Sequence, residues 1–85
     1  MTPKDVIEKA PGLTRDQLSY FVKMGYVKPK KYTRGKNEYT EYSENDLLVI
    51  EKALYYIQTF DTKPKSAFEK AFVELRQPER NFNRK

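Results

Sequence analysis

Eighty-five residues make one small domain, near the lower size at which a single core stands alone. The chain has neither cysteine nor histidine; this removes disulfides, thiolate metal sites and most acid–base or nucleophile–base pairs, so neither catalysis nor a cofactor is expected. A net charge of +5 with a pI near 9.4 leans the chain towards polyanions, while no apolar run approaches the roughly 18 residues of a membrane span.

The start, MTPKDVIEK, has no signal-peptide apolar region, and a soluble, cytoplasmic chain is expected. Thr2 caps a first short helix, about residues 3–10. Pro3 suits its first position, Asp5 completes a capping box, and Val6, Ile7 and Ala10 give its apolar face. Pro11 and Gly12 break it. Thr14 and Gln17 form a second capping box, opening a helix over residues 15–24 with Leu18, Phe21 and Val22 on one face. Gly25 stands where a left-handed cap wants a residue without Cβ. The other face of this helix carries Arg15, Asp16, Ser19, Tyr20 and Lys23. Such a face suits a helix offered to a groove in DNA, and equally an ordinary surface helix. Two short helices joined by a tight turn with Gly are a helix-turn-helix pattern, and also the pattern of any αα-corner.

Pro29 biases Lys28 towards extended geometry. Residues 31–42 then read as a hairpin, with strand-type residues on both sides of a turn at Arg34, Gly35, Lys36 and Asn37. Tyr32 and Tyr39, with Tyr42 as a third candidate, are expected on or beside the ribbon. The segment 28–36 holds Lys28, Lys30, Lys31, Arg34 and Lys36 with no acid among them, a local footprint for a polyanion. After a helix-turn-helix, such a ribbon is a wing whose cations reach phosphates or the minor groove. As a plain solvated hairpin, its lysines only discourage edge pairing.

Ser43 and Asp46 make a third capping box and open the longest helix, about residues 44–59. Leu47, Ile50, Leu54 and Ile57 recur at helical spacing, and Leu48, Val49, Ala53, Tyr55 and Tyr56 widen the apolar surface beyond one stripe. A helix this apolar is the spine of the core, or packs on a second partner as well. Residues 60–64 read as a loop. Thr62 is expected to cap the last helix, residues 64–75, with Lys63 and Pro64 in its first turn and Phe68, Ala71, Phe72 and Leu75 on its buried face. Gln77 and Pro78 end it. The domain is drawn as residues 1–76, leaving a basic tail, 77–85, that includes Arg80, Arg84 and Lys85 and has little reason to be ordered.

Two blocks carry a family likeness. The first is Leu18-Ser19-Tyr20-Phe21, followed by Gly25-Tyr26-Val27-Lys28-Pro29; the second is Tyr39-Thr40-Glu41-Tyr42-Ser43, running into Glu44-Asn45-Asp46-Leu47. With the order helix, turn, helix, basic hairpin, capped helix, helix, they resemble the N-terminal winged helix-turn-helix DNA-binding domain of MerR-family transcription regulators, over residues 2–75. The resemblance implies a mainly α fold with a small β-hairpin wing. It implies that Arg15, Asp16 and Gln17 approach base edges and that Tyr20 contacts phosphate. Ser19 and Thr40 depart from the pattern, since each stands where the family usually has an arginine on the DNA backbone. Glu38 and Glu41 also add negative charge to the wing. Family members usually continue into a dimerising helix and an effector domain, so the chain reads as the DNA-binding part of a longer regulator or as a small stand-alone relative.

The expected function is therefore sequence-specific binding of double-stranded DNA, with the helix 15–24 in the major groove and the basic wing 28–39 on the backbone or minor groove. The candidate contacts are Arg15, Asp16, Gln17, Tyr20, Lys23, Lys28, Lys30, Lys31, Tyr32, Arg34 and Lys36. Arg15 is the foremost candidate for base readout. Gln17 competes with its own capping role, and Asp16 also favours a helix N-terminus. A second copy, held through the third helix or a segment outside this chain, is an expected partner. The other readings are a protein-interaction module and a small excisionase-like architectural factor on the same fold.

Overall fold

The computed structural model describes residues 1–75. Three of its helices start where a hydroxyl residue and the residue three places on exchange bonds. Thr2 Oγ1 accepts from the Asp5 N–H and Asp5 Oδ2 accepts from the Thr2 N–H, each at 3.1 Å. Thr14 and Gln17 do the same at 3.1 and 3.2 Å, and Ser43 and Asp46 at 3.0 Å both ways. Each box satisfies N–H groups that a helix start leaves unpaired, and a cap of this kind stabilises by about 1 kcal/mol. The bond from the Thr2 N–H, then that from its hydroxyl, holds the Asp5 carboxyl below its ordinary range. That stabilisation is present at neutral pH and fades as acid protonates the group.

The elements are α1 (Pro3–Lys9), α2 (Arg15–Lys23), β1 (Lys30–Arg34), β2 (Asn37–Glu41), α3 (Glu44–Phe60) and α4 (Pro64–Glu74). The fold is mainly helical, a helix-turn-helix followed by a β-hairpin wing and a helical pair. Among the described residues, no helix is long and apolar enough to cross a membrane. The expected tail, 77–85, lies outside the described residues.

Helix α2 closes in a Schellman motif. The Tyr26 N–H donates to the Phe21 carbonyl and the Gly25 N–H to that of Val22, both at 3.0 Å. Gly25 takes the left-handed conformation this needs, φ 81°. Met24 is the C-cap rather than the last helical residue. Helix α4 departs from expectation at its start. Its N-cap is Lys63, with no side-chain bond, because Pro64 with its fixed φ occupies the first helical position. Thr62 belongs to the end of α3 instead. Its N–H reaches the Tyr56 carbonyl at 3.3 Å, beside Asp61, which closes α3 in the left-handed region at φ 56°.

The core is built around Phe68 of α4. Its ring meets that of Phe21 edge-on at 4.8 Å and stacks on Tyr26 at 5.1 Å. It is fully buried, with Phe72 beside it, and Val6, Leu13, Leu18, Ile50 and Leu54 complete the interior. Along α3 the fully covered residues are Val49, Ile50, Ala53 and Leu54, while Leu47, Tyr56 and Ile57 are covered only in part. Leu48, Tyr55 and Phe60 remain half or more exposed. The helix therefore packs on a face turned from the expected stripe towards Val49 and Ala53.

The wing pairs in one register, Tyr32 opposite Tyr39 and Arg34 opposite Asn37, around Gly35 and Lys36. Gly35 has φ 64°, and a glycine at this place is what a two-residue hairpin turn of type II′ asks for. Tyr42 is not on the ribbon. It is buried in the core directly below it, and that burial pushes its hydroxyl pKa up, as burial does for Tyr26. The Tyr42 backbone also exchanges two hydrogen bonds with Met1, its N–H to the Met1 carbonyl at 2.7 Å and its carbonyl from the Met1 nitrogen at 2.9 Å. The chain start and the buried ring thus clamp the base of the wing to the helical body.

Candidate nucleic-acid interface

Helix α2 presents Arg15, Asp16, Ser19, Tyr20 and Lys23 to solvent because Leu18 and Phe21, three residues apart, both turn inward. Gln17 is half-buried, its Oε1 held by the Thr14 N–H. Tyr20 leans away along the helix side, edge-on to Phe21 and Tyr26 at 6.4 and 6.3 Å. The exposed residues of α2 therefore divide between a groove that faces the wing and a flank that faces the loop after the helix.

The groove has a volume of about 380 Å³. Arg15, Ser19 and Lys23 line it from α2, and Lys31 and Thr40 from the wing. Its apolar floor is Leu18, Val22 and Tyr42, with Pro3 at one end. Three cations and the hydroxyls of Ser19 and Thr40 stand on its walls, with no acid among the lining residues; the pleat puts Glu38 on the same wing face as Lys31 and Thr40, nearer the tip. Cations gathered on low-dielectric walls focus a positive potential into such a cleft. A diester phosphate fits the lysines and hydroxyls of this groove, while Arg15, at the first position of α2, offers a fork of donors at its edge. Ser19 and Thr40, the two departures from the family pattern, stand on the two sides of this one groove.

The chain matches no protein-family model, no curated protein and no solved structure.

Strand pleating divides the rest of the basic cluster. Successive side chains of a strand point to opposite faces. Lys31 and Thr40 face α2, which sends Lys30, Tyr32 and Arg34 of β1, with Asn37, Tyr39 and Glu41 of β2, to the outer face. At the base of that face, Lys28 and Lys30 share a depression with Glu41 and Asp46, so their charge is partly offset locally. Lys36 lies in the turn. Of the eleven residues singled out from sequence, Arg15, Lys23 and Lys31 meet in one groove. Asp16 is exposed in the first turn of α2, and Gln17 serves the cap. Lys30, Tyr32 and Arg34 occupy the other face of the wing. The contiguous run 28–36 is thus two surfaces. The sequence did carry the signal, in the alternation of the strand, but the run of charge masked it.

Proposed function

We propose that this chain is the DNA-binding module of a MerR-type transcription regulator, a binding protein rather than an enzyme, acting on double-stranded DNA in the cytoplasm at the nucleoid. The observation that carries the reading is the acid-free groove between α2 and the wing, with Arg15, Lys23 and Lys31 around it. In this reading α2 enters the major groove and a backbone phosphate sits between helix and wing. Arg15, at the first position of α2, is where a recognition helix approaches base edges. The lysines supply affinity without sequence information.

The test is fluorescence anisotropy with a mixed-sequence duplex at two salt concentrations. Binding that weakens steeply with salt is expected, since each phosphate contact releases counterions. No binding at low salt would remove the reading. On a site selected from a random pool, Arg15→Ala is expected to lose about 1–3 kcal/mol of discrimination at one base pair, while affinity for unrelated duplexes falls only slightly. Competition between the selected site and its single-base variants reads this; equal loss on all sequences would make Arg15 a backbone contact.

One module of this size offers a short readout, and a second copy on an adjacent half-site would lengthen it. On this chain the contact for that copy is the exposed strip of Leu48, Tyr55 and Phe60 on α3, with a segment outside the chain as the other source. A second reading, a protein-interaction module, is favoured by the hydroxyls Ser19 and Thr40 in the groove and by that same strip. Absence of duplex binding together with retained folding would select it.

A further inference from the structure

The outer face of the wing carries a feature that the duplex reading does not use. Tyr32 and Tyr39, paired across the strands, lie with their rings 5.5 Å apart at an interplanar angle of 26°. A cross-strand aromatic pair stabilises a ribbon by itself. Among the described residues no element covers this pair, and the two residues keep 42% and 40% of their surface exposed. Lys30 and Arg34 flank Tyr32 on the same face, each about 7 Å away along the strand. Glu41 faces Lys30 at the base, so the net positive charge of this face lies towards the tip, with Arg34 and Lys36.

We propose that the stacked tyrosines and their flanking cations form a platform for unpaired bases of single-stranded nucleic acid, on the face of the wing opposite the α2 groove. Flat aromatic rings take up the π-faces of bases, and cations beside them follow the phosphate backbone. In a duplex those π-faces are already stacked on their neighbours, so the platform selects unpaired strands. The acid-free groove and the platform share no side chain. This inference therefore stands or falls separately from the duplex reading.

The experiment titrates the 85-residue chain against a labelled oligothymidylate of about twelve nucleotides at low salt, a length within the site sizes that stacking platforms span. Two signals are read, the anisotropy of the label and the tyrosine emission of the protein, which is observable directly because the chain contains no tryptophan. Binding with quenched tyrosine emission is expected. Tyr32→Phe and Tyr39→Phe keep the ring and should bind within about twofold of the parent. Tyr32→Ile and Tyr39→Ile keep apolar bulk and strand preference but lose the ring, and each should weaken binding about tenfold or more. Both positions lie outside the core, so an unchanged helical circular dichroism signal certifies each variant. No binding of the oligothymidylate, or equal affinity of the Ile and Phe variants, overturns the proposal; the latter outcome assigns binding to charge alone.

Discussion

Lys23→Glu combined with Lys31→Glu is expected to weaken duplex binding by about 100-fold or more at low salt and to flatten its salt dependence. The two lysines reach the same groove from opposite walls, one from α2 and one from β1. On the duplex reading, reversing both would remove two phosphate contacts and put two acids where the polyanion would lie. A lost phosphate contact lowers the slope of log affinity against log salt by about one. The slope therefore reports how many contacts vanish, and not merely that binding is poorer. Both side chains are exposed, so the fold should be unchanged by circular dichroism. The control is Lys63→Glu with Lys70→Glu, two exposed positions at the N-cap and on the body of α4 that carry the same charge change away from the groove. Equal losses in the two pairs would mean that net charge alone attracts DNA, and the groove would have no special part.

Phe68→Ala is expected to cost about 3–5 kcal/mol of stability, as removal of a fully buried phenyl ring does. Small domains commonly hold only about 5–15 kcal/mol in total, so the variant should be near unfolding at room temperature. The cost is high because one ring serves two elements. It fills the space under Phe21 of α2 and stacks on Tyr26, the residue whose N–H closes the cap of that helix. Phe68→Leu retains part of the volume and should cost clearly less. Urea unfolding followed by helical circular dichroism measures both. A loss below about 1 kcal/mol for the alanine variant would show that α2 is held without α4.

Features that depend on neighbours in sequence were legible beforehand. Thr2, Thr14 and Ser43 each find their partner three residues on, and the Gly25 cap needs only the absence of a Cβ. Features that depend on packing were not. Tyr42 follows a strand rich in tyrosine and reads as a third candidate on or beside the ribbon; only the packed structure shows its ring buried in the core at the ribbon's base. Thr62 has the chemistry of a cap, but Pro64 fixes the helix start one residue later. The face of α3 was blurred because apolar residues surround much of it, so only the packed structure shows Val49 and Ala53 inward and Leu48 and Tyr55 outward. The basic run showed its charge more plainly than its division, since the alternation that parts Lys30 from Lys31 becomes decisive only once the strand's face towards α2 is known.

The clamp between Met1 and Tyr42 has a kinetic side. The capping boxes span three residues and the wing closes through a two-residue turn, whereas the clamp joins positions 41 residues apart. Helix formation takes about 0.1–1 microsecond and hairpin closure about 1–10 microseconds, and contacts distant along the chain come later. We expect the helices and the ribbon to form first and the clamp to set the ribbon's angle to α2 among the last events. Mutational analysis of the folding transition state would read this as values near zero at Tyr42 and higher ones in α3; a value near one at Tyr42 would reverse the order. The cleft between helix and wing would then be the last part of the molecule to take shape, and the first to open when the native state frays.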